Sequence, residues 1–443
     1  MKTVRIGTGA GFSGDRIQPA LRLAAEGNLD FLVFECLAER TIALAQLRRL
    51  DDPDGGYDPF LTERMGAVLP ECARSGVRIV TNMGAANPWA AGRETARIAR
   101  ELGLAVKVAV ITGDDILAAI REGRAGPEAT ELHERLGDRV ISANAYIGAF
   151  PIAAALDAGA DIVITGRAAD PALFMGPLIH SFSWQKQQSE LLGRGVLAGH
   201  LLECGAQVSG GYFADPGAKD VPSLVDVGFP IGEVDETGGL VISKLDGTGG
   251  LVSPATVAEQ LLYEVHDPAR YYQPDVIADF SKVEIVQDRE NVIRLSGASG
   301  TEKTGMLKAS VGYRDGFQGE GQISYAGPNA VGRATLAGEI VEARLRRQGG
   351  YRDLRIELIG VNSVLGAALS TGPAPYEVRL RCAARTDDRY LADRVGREVE
   401  ALYLNGPAGG GGASASTRET VAIAPVLVPE TTVEIDMQWV DAS

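Results

Sequence analysis

The chain is poor in cysteine and histidine, has no excess of basic charge and lacks any long apolar run. Its four cysteines, Cys36, Cys72, Cys204 and Cys382, are spread over 443 residues. They form neither a CxxC pair nor a small disulfide framework, which fits a reducing compartment. Its four histidines, His133, His180, His200 and His266, are too few and scattered for a multi-histidine metal site. Lysine and arginine total 43 against 58 acidic residues, for a net charge of −15. That balance argues against nucleic acid or an anionic membrane as the main partner. Small anionic ligands remain compatible, because a local site can be basic on an acidic protein. No apolar run reaches the ~18 residues of a membrane helix. The opening MKTVRIGTG reads as a buried strand rather than a secretory leader, so a cytoplasmic location is expected.

What is abundant is glycine, at 55 residues, and apolar side chains, at 45%. The length predicts two or three domains. The glycines follow no collagen-like period and so predict many tight turns and backbone-lined loops. Strands are expected near 3–8, 31–36, 77–82, 105–111, 138–143 and 161–165, separated by helical patterns. Such alternation marks βαβ units. The reading is an α/β fold, with a mainly parallel, Rossmann-like sheet over 1–218 and an α+β half over 219–443.

In parallel sheets, ligands bind at the carboxyl ends of the strands. Here each expected end carries polar or glycine-rich residues. The first is followed by Gly9-x-Gly11-x-x-Gly14 and Asp15, the second by Glu35, Cys36 and Glu39. The third is followed by Asn82 and Asn87, the fourth by Asp114 and Asp115. The fifth leads to Asn144 and Tyr146, the sixth to Arg167 and Asp170. The glycine loop, expected to open a helix near Asp15, suits an anion or the pyrophosphate of NAD(P), with Glu35 placed for a ribose. Asn87 before Pro88 suits a helix N-cap. Arg167 suits a carboxylate or phosphate, or an ion pair with Asp170.

His200 and Cys204 are spaced i, i+4, as an acid/base and nucleophile or as two metal ligands. Asp114, Asp115 or Glu35 offers oxygen to a divalent ion, although no ligand spacing demands one. Lys244 precedes a glycine turn and suits an anionic group. Near the end, LYLNGPAGGGGASAST brings Gly409, Gly410 and Gly411 into a loop whose amides could wrap a ligand.

Several segments, in this order, resemble the acyclic terpene utilisation AtuA family. They include NMGAANP, ITGDD, ANAYIGAFPI, GADIVITGRAADPAL, AGHLLECGAQVSGGYF, DVGFPIGEVDETG and LYLNGPAGGGG. One departure is Ala85, where the family pattern commonly has glycine. The resemblance implies a place in the breakdown of small acids through CoA thioesters. It also implies, as a partner, a separate small ferredoxin-like chain, because some relatives carry such a domain at their C-terminus. Combined with the strand-end residues, the expectation is hydratase or lyase chemistry. Asp114 or Asp115 and His200 would carry protons, while Arg167, Asn82 and the glycine loops hold anionic oxygen. The rivals are an NAD(P)-dependent oxidoreductase and a non-catalytic subunit that binds acyl-CoA or stabilises a partner. A homo-oligomer is expected.

Overall fold

The computed structural model describes residues 2–441. Its chain divides into two compact units, one of residues 1–312 with 423–443 and the other of 313–422.

The first unit is built on a ten-stranded sheet. Its parallel block comprises β1 (Thr3–Ala10), β2 (Phe31–Phe34), β3 (Arg78–Thr81), β4 (Lys107–Thr112) and, after β5 (Val140–Ala145), β6 (Ile162–Thr165). The block runs β1-β2-β3-β6-β4. β2 (FLVF) and most of β6 (IVIT) are apolar along their length because both faces are covered. Phe31 and Val33 pack into one core with the helices Phe150–Asp157, Ala172–Phe182 and Ser189–Leu202. Leu32 and Phe34, pointing the other way, join Leu23, Met65, Ala91 and Ala96 from the helices opposite.

Antiparallel strands extend the sheet on both sides. β7 (Pro230–Asp235) pairs with β1, and β8 (Leu240–Lys244) pairs with β7. Val292–Ser296 and Glu284–Arg289 follow, while Asp436–Asp441 flanks β4. The sheet is therefore mixed as a whole, while the strands that residues 1–218 contribute to it are mutually parallel. Its order also differs from the 3-2-1-4-5-6 of a dinucleotide fold. β1 ends the parallel block, because an antiparallel strand takes its free edge.

Two further expectations change. The 218/219 boundary falls inside the first unit, since β7 locks onto β1 directly after it. β5 lies outside the main sheet and pairs with the strand Met306–Ala326, Tyr146 N–H donating to the Lys308 carbonyl at 2.9 Å. β4 is flanked on its outer side by Asp436–Asp441.

The second unit is the α+β part. Its antiparallel strands Asp353–Ile359 and Glu377–Thr386 and the neighbouring part of Met306–Ala326 carry the helices Ala330–Gln348 and Arg389–Glu400. Ile323, Tyr325, Val341, Leu345, Leu380 and Val395 form its core.

Candidate active site

The ends of β2 to β6 are tied into one polar network. The chain leaves β2 into Glu35, and β3 into Asn82, which is fully buried. The Asn82 amide donates to Glu35 Oε1 at 2.9 Å, and its oxygen accepts the Cys36 N–H at 2.7 Å. The Leu37 N–H also donates to Glu35 Oε1, at 2.8 Å. Beyond β4, Asp114 accepts from the Asn144 amide and the Arg167 N–H, both at 2.9 Å. A buried carboxylate thus fixes the turn that presents Arg167.

The Arg167 side chain is 1% exposed. Its guanidinium donates to the carbonyls of Ala168 and Leu37 and pairs with Asp170. Asp170 is different, keeping 37% of its side chain open to solvent. Above β5, the Tyr146 hydroxyl donates to Glu39 Oε1 at 2.7 Å, and Lys308 Nζ donates to the same oxygen at 2.8 Å. Lys308 has 48% of its side chain exposed, making it the accessible cation of this network. Arg167 is too enclosed to be the first contact of an anionic ligand; its direct work is on Asp170.

The environments push the carboxyls apart. Glu35 lies well above the ordinary carboxylate range, through burial and then the charge of Asp170, with Arg167 opposing. Burial also raises Asp170, against the pull of Arg167. Burial raises Asp114 to about 6. Burial would raise Glu39 too, but the bonds from Lys308 and Tyr146 outweigh it and hold Glu39 at about 2. Burial disfavours the charge on Arg167, yet Asp170 and then Tyr146, Glu35 and Glu39 more than restore it. Carboxyls of different proton affinity beside a fixed cation are the equipment of general acid/base chemistry.

His200 and Cys204 do not form the expected pair. The helix Ser189–Leu202 ends before Cys204, so the i, i+4 face breaks. His200 Nδ1 instead meets Glu203 Oε1 at 3.1 Å, and Nε2 meets the Leu261 carbonyl oxygen at 3.2 Å. Burial, then the nearby Glu203, raises the Cys204 thiol, which disfavours the thiolate a nucleophile needs.

The glycine loop is a packing element. The Gly11 N–H is taken by Asp15 Oδ2 at 2.9 Å. A Cβ on Gly11 would stand 2.4 Å from the Cys204 carbonyl carbon, and one on Gly9 2.4 Å from the Phe34 ring. The next helix runs from Gln18 to Glu26, opening three residues after Asp15. The Gly11 amide is thus engaged within the loop itself.

Other expected residues do structural work. Asn87 caps the helix Pro88–Glu101, accepting from the Ala90 N–H at 3.3 Å, and its amide donates to the Pro53 and Gly55 carbonyls. Asp115 is half exposed, accepts from the Leu117 N–H and faces Arg49. Lys244 closes its own turn by donating to the Thr248 carbonyl at 2.7 Å. Gly409, Gly410 and Gly411 belong to the second unit, where the chain enters the strand Gly411–Pro429. Among the described residues, no three His, Cys, Asp or Glu side chains stand in a metal-holding arrangement.

Glu203 and Lys308 were not singled out by the sequence. Glu203 carried a signal in its i, i+3 spacing from His200. Lys308 carried none, because it arrives from a distant strand.

The family described as "Acyclic terpene utilisation family protein AtuA" matches residues 4–439, nearly the whole chain, and the chain belongs to it. No curated protein and no solved structure matched it. No helix among the described residues is long and apolar enough to cross a membrane.

Proposed function

We propose, from membership of the acyclic terpene utilisation family, that this chain is a cytoplasmic enzyme of small-acid or acyl-CoA catabolism performing hydratase- or lyase-type acid/base chemistry. Family membership supports the catabolic role. The chemistry rests on one observation: the solvent-open carboxylate of Asp170, paired with buried Arg167, beside a Glu35 carboxyl pushed well above its usual range.

In this reading Asp170 is the base and Arg167 keeps it ionised and aimed. Lys308, with Tyr146 beside it, meets the carboxylate or thioester oxygen, where negative charge grows as an α-proton leaves. Glu35 is the acid. The C–H electron pair forms the new double bond, the β C–O bond breaks, and the Glu35 proton leaves with the hydroxyl as water. Hydration is the reverse. Asn82 and Asn144 set Glu35 and Asp114 and touch no substrate. The substrate is a small carboxylate or a CoA thioester. A homo-oligomer and a separate ferredoxin-like partner chain belong to the same proposal.

The test is a thermal-shift screen with small carboxylates, short 2-enoyl-CoA thioesters, divalent metals, NAD and NADP, followed by turnover of whatever stabilises the protein. Stabilisation by a carboxylate or thioester, with turnover abolished by Asp170→Asn, is expected. Stabilisation by NAD or NADP alone would overturn the reading.

A further inference from the structure

The sheet of the second unit has two edges. Its strands run in the order Asp353–Ile359, Glu377–Thr386, Met306–Ala326 and Gly411–Pro429. An edge carries a row of unpaired N–H and C=O groups, and proteins blunt it with short strands, charge or cover. The first edge is blunted. It spans seven residues, Asp353, Arg355 and Glu357 are charged, and its Leu358 N–H is taken by Asn362 Oδ1 at 2.8 Å.

The second edge is bare. From Gly411 it runs through ASAST with no charge before Arg418 and no proline before Pro425. Its two charges are engaged with the neighbouring strand, Arg418 with Gln318 and Glu419 with Arg314, both at 3.0 Å. Its side chains alternate regularly. Ala413 packs towards the helix-covered core and Ala415 lies against Gly396, whereas Ser414 meets Arg379 and Arg418 meets Gln318 on the open face. The Ala413 N–H donates to the Tyr403 hydroxyl at 2.9 Å, away from Met306–Ala326. Backbone direction alternates along a strand. The N–H groups of Ala415, Thr417 and Glu419 therefore point to the same outer side, where no further strand lies among the described residues.

We propose that this edge is the interface with a second copy of the chain, the two Gly411–Pro429 strands pairing antiparallel across a twofold axis at Thr417. The stretch is its own complement, and its chemistry selects the register. In a twofold antiparallel pair, outward residues oppose outward residues. An axis at Arg418 or Glu419 would set like charges directly opposite, which is destabilising. An axis at Ser416 would set Glu419 against Ala413, whose N–H is already taken. With the axis at Thr417, Ala415 meets the partner's Glu419 and Ser416 meets the partner's Arg418, so no charge faces its like. About six backbone hydrogen bonds form, two for each opposed outward pair. Tyr403, on the Ala413 N–H, bounds the paired stretch at each end. The pairing gives the homo-oligomer of the preceding section its interface and does not rest on the chemistry of Asp170.

The test starts with the wild-type chain. Sedimentation equilibrium should show a dimer. Hydrogen exchange, resolved to single amides by fragmentation mass spectrometry, should find Ala415, Thr417 and Glu419 protected in that dimer. Thr417→Pro removes an outward N–H and leaves the bonds to Met306–Ala326 in place. It should raise the dimer Kd at least about tenfold, with the far-ultraviolet circular dichroism unchanged. A monomer at all concentrations overturns this interface and the homo-oligomer together. A dimer whose three outer amides exchange at the unprotected rate overturns the edge pairing and leaves the homo-oligomer standing. So does a folded Thr417→Pro variant that dimerises with the wild-type Kd. The exchange arm needs no variant.

Discussion

The guanidinium of Arg167 lies over the ring of Tyr146, with 4.2 Å from its central carbon to the ring centroid. This contact joins the ends of β5 and β6, two strands from different sheets. Lys308 approaches the same ring at 4.9 Å. One aromatic ring therefore contacts both cations of the site, while its hydroxyl holds Glu39.

Removing the two parts of Tyr146 separately should give different results. Tyr146→Phe keeps the ring and loses the bond to Glu39, at a cost of about 1 kcal/mol. Tyr146→Ala also loses the braced ring, at a cost of roughly 3–5 kcal/mol. Denaturant titration of both variants checks this. Equal losses would show that the ring does not organise the two cations.

Asp114 predicts a pH dependence of stability. Its folded pKa of about 6 lies above the value of ~3.9 expected unfolded. The folded state then holds the proton more tightly, so this site's stabilisation is complete below about pH 4 and is lost as pH rises through about 6. The loss is on the order of 3 kcal/mol. Asp275, also raised by burial to about 6, adds in the same direction. Asp114→Asn keeps an acceptor for the Arg167 N–H and should flatten the stability profile between pH 4 and 6. An unchanged slope would mean Asp114 does not titrate there.

Gly11 separates packing from cofactor binding. A methyl at Gly11 meets the Cys204 backbone at 2.4 Å, and backbone cannot swing aside as a side chain can. Gly11→Ala should destabilise the protein by about 1–3 kcal/mol. NAD or NADP should shift the melting temperature of neither protein. A shift in wild type that Gly11→Ala abolishes would restore the dinucleotide loop.

Ala85 stands where the family pattern commonly has glycine, and its φ is +46°. That left-handed backbone disfavours a Cβ. Ala85→Gly should raise stability by about 0.5–1 kcal/mol, the relief of strain exceeding the added unfolded-state entropy. A lower melting temperature would mean the turn accommodates alanine without strain.

Much of this was legible in the sequence where local chemistry decides it. Runs such as FLVF and IVIT announce fully buried strands, and the residues just after them supply Glu35, Asn82, Asp114, Asn144, Arg167 and Asp170. Long-range pairing was not legible. Nothing in VISANA says that this strand will leave the main sheet for Met306–Ala326, and nothing near Lys308 says that it will reach Glu39. Cys204 misled because its spacing from His200 assumes a helix that ends at Leu202. The glycine loop is ambiguous in sequence because a close backbone approach and a phosphate cradle require the same residue.

The central claim is that Asp170 moves a proton to and from a substrate carbon. It is tested most directly by incubating wild type and Asp170→Asn in heavy water with each carboxylate or acyl-CoA that stabilises the protein, and reading deuterium uptake by mass spectrometry. Deuterium beside the carboxyl or thioester carbon with wild type, and none with Asp170→Asn, is the predicted result. Equal uptake by both proteins, or none from any compound that binds, would contradict it.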